Sequence, residues 1–199
     1  MFFGCVPVPK AAAPKKDAYD GYSSHYCASV NGEPVVLRVT HAARGPIECQ
    51  EYYPVALLAH REILVSSSRF YARDDRVVGR DVPMKLLKSA WSAGAKIGAR
   101  IDVTNCHIRG VLYYSRIGYV PIASGQFKHP ILGTPSQSIL ITADPDHPSP
   151  FQSIFSALPD PFPLDQIHRS VPVERNALSA GAVARLKRET SRKDNVLPV

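Results

Sequence analysis

From Ser24 onward the polar and apolar positions alternate with the period of a strand. Tyr26-Cys27-Ala28-Ser29-Val30 and Pro34-Val35-Val36-Leu37-Arg38-Val39-Thr40 are β-prone runs flanking Asn31-Gly32, a strong two-residue hairpin signal. Gly45-Pro46 breaks the chain, and 48–59 fits helix or strand, with Tyr52, Tyr53, Leu57 and Leu58 able to pack in either. Residues 61–72 read as a strand region, clearest in 66–73. Over 82–98 the period changes: Leu86, Leu87, Ala90, Trp91 and Gly94 fall on one helical face. Asp81 stands where an N-cap belongs, Pro83 suits a first turn, and Gly98 closes the helix. A strand over 99–105 follows, then a helix over 107–117 that buries Ile108, Val111 and Leu112 with Ser115 at its edge. A short strand at 119–123, a loop over 126–135 and a last strand at 138–142 complete the pattern. This order predicts an α/β (α+β) fold, a mixed sheet with helices packed on it.

Around that core, residues 1–20 form a loose arm rich in Pro, Ala and Lys, and 144–173 hold seven prolines, too many for long regular structure. Within the latter, Phe151, Ile154, Phe155 and Leu158 share one helical face, as a docking turn on the core or a partner-binding segment. The divisions expected are therefore an arm 1–20, a domain 21–143, a Pro-rich segment 144–173 and a basic tail 174–199 that is helical over 177–192. The 199 residues suit one domain with tails. Net charge is +7, and 174–193 alone contributes a surplus of four: Arg175, Arg185, Lys187, Arg188, Arg192 and Lys193 against Glu174 and Glu189. The core is thus only mildly basic. The tail lacks interleaved aromatics, so a nucleic-acid partner is not expected.

Cys5, Cys27, Cys49 and Cys106 form no C-x-x-C pair, which fits reduced thiols in a cytoplasmic protein. No window approaches a transmembrane span, and the N-terminus reads as neither signal peptide nor anchor. The seven histidines show no metal-ligand spacing, no G-x-S-x-G elbow is present, and Cys106-His107 point apart at a strand end. Chemistry concentrates instead in 69–119. Arg76-Val77-Val78-Gly79-Arg80-Asp81 is a glycine-bearing turn opening into a helix, where free N–H groups and the positive end of the dipole suit a phosphate. It is followed by a helix carrying Tyr113 and Tyr114.

Four features in order resemble the GNAT superfamily of acyltransferases, within it the branch of long-chain N-acyl amino acid synthases and acyl-homoserine-lactone synthases. They are the 24–39 hairpin with Arg38, the strand Ser68-Arg69-Phe70, the loop Arg76-x-x-Gly79-Arg80, and Tyr114-Ser-Arg-Ile-Gly118-Tyr119. The loop from Gly125 through Pro130-Ile131-Leu132-Gly133 fits as well, and the resemblance covers about 20–143. It implies a twisted, mostly antiparallel sheet and an N-acyltransferase that moves an acyl group, a fatty acyl group in this branch, to the amine of an amino acid or similar small molecule. The donor is an acyl-phosphopantetheine thioester, from acyl carrier protein as partner or from acyl-CoA. No permanently bound cofactor and no metal are expected.

The resemblance further assigns donor contacts to the backbone of Phe70, Ala72 and Val78, to Arg76, Gly79 and Arg80, and to Asn105. Tyr114 would protonate the leaving thiolate, which a tyrosine of ordinary pKa, about 10, is able to do at neutral pH. Glu48, Glu51 and Glu62 are candidate bases. The chain departs from the branch at several positions. Ser66 stands for a usual Glu and Gly110 for a histidine, while His107 replaces an Asn for which Asn105 substitutes. The short arm stands where relatives carry a longer N-terminal region that shapes their acceptor and acyl pockets, so a truncated, mis-started or specialised chain, impaired by that shortness, is expected. Two other functions compete: a short-chain acetyl-CoA-dependent N-acetyltransferase, and a non-catalytic GNAT-fold protein that binds an acyl carrier or partner.

Overall fold

A computed structural model of the chain describes residues 17–30, 33–72 and 81–174. The frame is one six-stranded sheet in the order β1-β2-β3-β4-β6-β5. Its strands are β1 (Ser23–Val30), β2 (Glu33–His41), β3 (Leu64–Ala72), β4 (Ile101–His107), β5 (Val120–Lys128) and β6 (Pro135–Thr142). Every neighbouring pair is antiparallel except β3 and β4, which run parallel because the helix α2 (Asp81–Lys96) crosses between them. The mixed, mostly antiparallel sheet flanked by helices that the sequence predicts is therefore present. The Asn31-Gly32 turn lies outside the described residues, but Val30 opposite Glu33 gives the register it must close.

Alternation along the strands divides the core in two. On the first face, Val35, Leu37 and Val39 of β2, Val65 of β3, and Ile139 and Ile141 of β6 pack against Leu86, Leu87, Ala90 and Trp91 of α2. On the second, Leu64, Ile101, Val103 and Leu140 pack against Ile47, Tyr53 and Leu57, the last from the short helix α1 (Val55–Leu58). Each large apolar side chain removed from water contributes about 1.5–3 kcal/mol.

Helix α2 stops where the sequence places the stop. Gly98 takes φ +96°, its N–H donates to the Ala95 carbonyl and the Ala99 N–H to the Gly94 carbonyl, a left-handed cap that glycine accepts without strain. The predicted helix 107–117 is shorter than expected. Ile108–Gly110 is a 3-10 turn, capped by His107 Nδ1 accepting from the Arg109 N–H at 3.2 Å, and α3 runs only over Val111–Arg116. The strand at 119–123 is longer than expected and the 126–135 loop correspondingly smaller. β5 continues to Lys128 across a register shift between Pro121 and Gln126, with Ser124 at φ 59°. Gln137 Nε2 fills the gap, donating to the Ile122 carbonyl at 2.8 Å and the Ser138 carbonyl at 2.9 Å.

The proline-rich segment docks on the core. Phe151 and Phe155, the latter ending α4 (Gln152–Phe155), set their ring centroids 6.2 and 4.9 Å from that of Trp91 on the first face. Helix α5 (Leu164–His168) buries Leu164 and Ile167 on the second face. Val173 then bridges Ile122 along the open edge of β5, with the Ala123 N–H donating to the Pro172 carbonyl at 2.8 Å. The basic run 175–193 lies outside the described residues. Among the described residues no helix is long and apolar enough to cross a membrane.

Candidate active-site cleft

The parallel pairing of β3 with β4 covers only Leu64–Ile101, Val65–Asp102 and Ser66–Val103, although β3 runs on to Ala72 and β4 to His107. Beyond Ser66 each strand stays with its other neighbour: β4 pairs with β6 from Ile101 to His107, and β3 pairs with β2 up to Ala72. The two strands therefore part and leave a wedge-shaped cleft whose strand edges pair with no other strand among the described residues. A bulge in β3 re-aims its edge. The register shifts between Val36 and Arg38, and Arg69 adopts φ 49°. Past the bulge Tyr71 pairs with Val36, which places the Ala72 backbone on the open side.

Asp102 occupies the point of the wedge. It is 2% exposed, and its carboxylate accepts from the Ser67 N–H at 2.9 Å, the Ser67 hydroxyl at 2.7 Å and the Tyr119 hydroxyl at 2.6 Å. Burial pushes its pKa up to about 6 against the opposing effect of those three bonds. Burial likewise pushes the Tyr119 hydroxyl well above its ordinary value, reinforced by the Asp102 charge. Tyr114 lies one contact further out, half-buried on α3, its ring edge-to-face with Tyr119 at 5.4 Å and with Tyr113 at 5.5 Å.

On the second face the cleft meets a cage of charges around Arg38, whose side chain is fully buried. Its Nη1 donates to both oxygens of Asp17, at 2.8 and 2.7 Å, and to Asp20 at 3.3 Å. Nη2 donates to Glu48 at 2.5 Å, and Nε to the Ser68 hydroxyl at 3.0 Å. The Tyr19 ring centroid is 5.2 Å from the guanidinium carbon, and Arg69 pairs with Asp17. Burial alone would raise the Asp17 pKa; the Arg38 hydrogen bond, the Tyr19 N–H and the two arginine charges outweigh it and hold the carboxyl below its usual value. Burial opposes the Arg38 charge in the same way, and the carboxylates override it.

Beside the cage, Tyr53, Asn105 and Ser138 form a chain across the second face: Asn105 Nδ2 donates to the Tyr53 hydroxyl at 2.8 Å, and Asn105 Oδ1 accepts from Ser138 Oγ at 3.0 Å. Ser66 Oγ is buried beside the Tyr53 hydroxyl. Cys49, at φ 59°, sets its Sγ 3.7 Å from His129 Nε2. That pair is not a nucleophilic dyad. His129 Nδ1 accepts from the Ile131 and Leu132 N–H groups, so in the neutral ring the proton sits on Nε2 and faces the sulfur. Burial and the nearby Glu48 and Glu51 charges push the Cys49 thiol up to about 12.

Of the residues the sequence singles out, Phe70 and Ala72 end β3 at the cleft, and Tyr114 reaches its first face through Tyr119. Asn105 lies on the β4 margin with both amide ends engaged. Glu48 joins the Arg38 cage, whereas Glu51 and Glu62 are exposed. Arg76, Val78, Gly79 and Arg80 lie outside the described residues. Sequence reasoning misses Asp102, Asp17 and Asp20. A single carboxylate in the apolar run Ile101-Asp102-Val103 is the signal that points to the first. Among the described residues no cluster of His, Cys, Asp and Glu is able to hold a metal ion.

No family model matches the sequence, and no curated protein is similar to it by sequence. Solved structures are similar to it in fold. FeeM, an N-acyl amino acid synthase from uncultured soil microbes, is 9% identical with a TM-score of 0.53 over 61% of this chain and 72% of that one. TofI in its apo form is 26% identical with a TM-score of 0.50 over 67% of this chain and 75% of that one. BjaI, a CoA-dependent acyl-homoserine lactone synthase solved with SAM and isopentyl-CoA, is 14% identical with a TM-score of 0.50 over 78% and 77%. The chain has the fold of the GNAT-like acyltransferases.

Proposed function

We propose that this chain is an N-acyltransferase that moves an acyl group from a phosphopantetheine thioester, acyl-CoA or acyl carrier protein, to the amine of an amino acid or similar small molecule. The observation that carries the reading is the unpaired cleft between β3 and β4, open to a helix-covered face on one side and to a buried charge cage on the other. An extended pantetheine arm is a strand-like ligand, and a bare strand edge offers it backbone hydrogen bonds. The proteins of similar fold include one described as an N-acyl amino acid synthase and one described as CoA-dependent, which fits both the reaction and the donor.

In this reading Arg76, Gly79 and Arg80 hold the donor phosphates, and the thioester lies in the cleft with its carbonyl oxygen toward the β3 edge at Phe70 and Ala72. The acceptor enters from the second face with its amine at the cleft, on the side of the Asp17, Asp20 and Glu48 carboxylates that surround Arg38. The neutral amine attacks the carbonyl carbon, the C–S bond breaks, and the thiolate takes its proton from the Tyr114 hydroxyl. The amine's proton leaves through the solvent-facing acceptor side. Residues 21–143 carry this chemistry together with Asp17, Tyr19 and Asp20, which the sequence places in a loose arm and which pack on Arg38 instead, and 144–173 brace both faces.

The test is to incubate the protein with acyl-CoA thioesters of graded chain length and a mixture of amino acids. Thiol release and N-acyl products are then followed by absorbance and mass spectrometry. Amide products with matching thiol release support the reading; no release with any donor, carrier-bound acyl groups included, counts against it.

A further inference from the structure

The strand edges show where the ladder ought to continue. The Arg100 and Ile101 N–H groups both donate to the Ile63 carbonyl, so Ile63, Val65 and then Ser67 turn their backbone groups toward β4. Extending the ladder by one step would engage the Ser67 N–H with the β4 backbone. That N–H donates to Asp102 Oδ1 instead, while Oδ2 takes the Ser67 and Tyr119 hydroxyls. We propose that Asp102 is a positioning residue of the acyl-transfer cleft: its carboxylate draws the Ser67 N–H out of the β3–β4 ladder and fixes the point from which the strands part. The inference rests on the reading of the cleft as the donor site.

A purely structural role accounts poorly for this choice of residue. The groups that face Asp102 are Ser67 from β3, Tyr119 from the segment entering β5, Trp91 and Leu87 from α2 and Val39 from β2, with Tyr53 behind the sheet, and none of them is a cation. A buried carboxylate without a countercharge costs folding free energy. An apolar side chain with an ordinary ladder bond would satisfy the same strand N–H at no such cost. What the carboxylate adds is the separation of the strands. Trp91 Nε1 lies buried beside the Tyr119 hydroxyl, so a second polar group from α2 closes over the same point.

The test compares Asp102→Val, which allows the ladder to extend, with Asp102→Asn, which keeps an oxygen for the Ser67 N–H. CoA binding is measured by calorimetry at pH 7.5, and the Ser67 amide is followed by NMR from pH 4.5 to 8. Loss of one positioning hydrogen bond predicts CoA affinity about tenfold weaker for Asp102→Val, restored to within about threefold by Asp102→Asn. The Ser67 amide resonance titrates in the native protein and stays fixed in Asp102→Asn. If the single Val variant folds poorly, Asp102→Val with Tyr119→Phe removes the orphaned hydroxyl and gives the same comparison. Native-like CoA affinity in the Val variant, or a Ser67 amide that does not titrate, overturns the proposal. If the native protein itself fails to bind CoA, the donor-site reading falls, and the Ser67 titration still decides whether the carboxylate holds the strand.

Discussion

The Tyr119 backbone N–H donates to the Tyr114 carbonyl at 3.0 Å, while the two rings meet edge-to-face at 5.4 Å. Gly118 makes this possible: at φ +98° it turns the chain out of α3, and its own N–H donates to the Ser115 carbonyl. The spacing Tyr-x-x-x-Gly-Tyr is thus a helix cap that locks the proposed acid against a tyrosine anchored on Asp102. Under the proposed mechanism, Tyr114→Phe lowers kcat by about 10²–10⁴ with donor affinity unchanged, whereas Tyr113→Phe does far less. Steady-state and binding measurements on the two variants check this, and equal effects would displace the acid from Tyr114.

Gly118→Ala tests the cap itself. A Cβ there meets Ser149 Cβ at 2.7 Å in a conformation that disfavours L side chains. A loss of about 1–3 kcal/mol in urea unfolding is expected, together with a fall in kcat as Tyr114 shifts. Unchanged stability would mean that the 148–149 turn yields freely.

Arg38→Met leaves Glu48 partly buried without its cation and Asp17 with Arg69 alone, so a loss of about 3 kcal/mol is expected. Arg38→Lys does not restore it, because one ammonium cannot reach Asp17, Glu48 and Ser68 together. Denaturant midpoints for the two variants give the answer; full rescue by lysine would show that charge alone holds the cage.

The carboxylates predict two separate pH regimes. The folded Asp102 pKa, about 6, lies above the ordinary carboxylate value of 3.8, so its contribution to stability rises as pH falls from above 6 toward 4. Asp17 and Asp20 are shifted the other way, so the stability they supply is present above their ordinary pKa and is lost as pH falls below it. Asp102→Asn therefore gains stability relative to the native protein at pH 8, and that advantage is smaller at pH 5 and fades as pH falls toward 4. Urea midpoints at the two pH values measure the difference, and a constant difference contradicts the assignment.

Local pattern carried much of the fold. Leu86, Leu87, Ala90, Trp91 and Gly94 declare the buried face of α2, and all five are buried. Gln126, Lys128 and Pro135 look like loop residues, yet they pair across β5 and β6 because the Ser124–Gly125 bulge lets an edge strand resume with polar side chains exposed. The site was harder to read. Arg38 gathers partners from Asp17, Asp20, Glu48 and Ser68, which only the folded sheet brings together. β4 is buried on both faces, so alternation gives no hint of where Asp102 points.

The most direct test of the cleft as the donor site is an NMR titration of the labelled protein with CoA. The account predicts chemical-shift changes concentrated in the amides of 67–72 and 104–107 and at the start of α2, with β1 and the 152–168 segment unmoved. Saturating CoA that leaves the β3 and β4 edges unperturbed, or that perturbs only the outer face of α2, would contradict it.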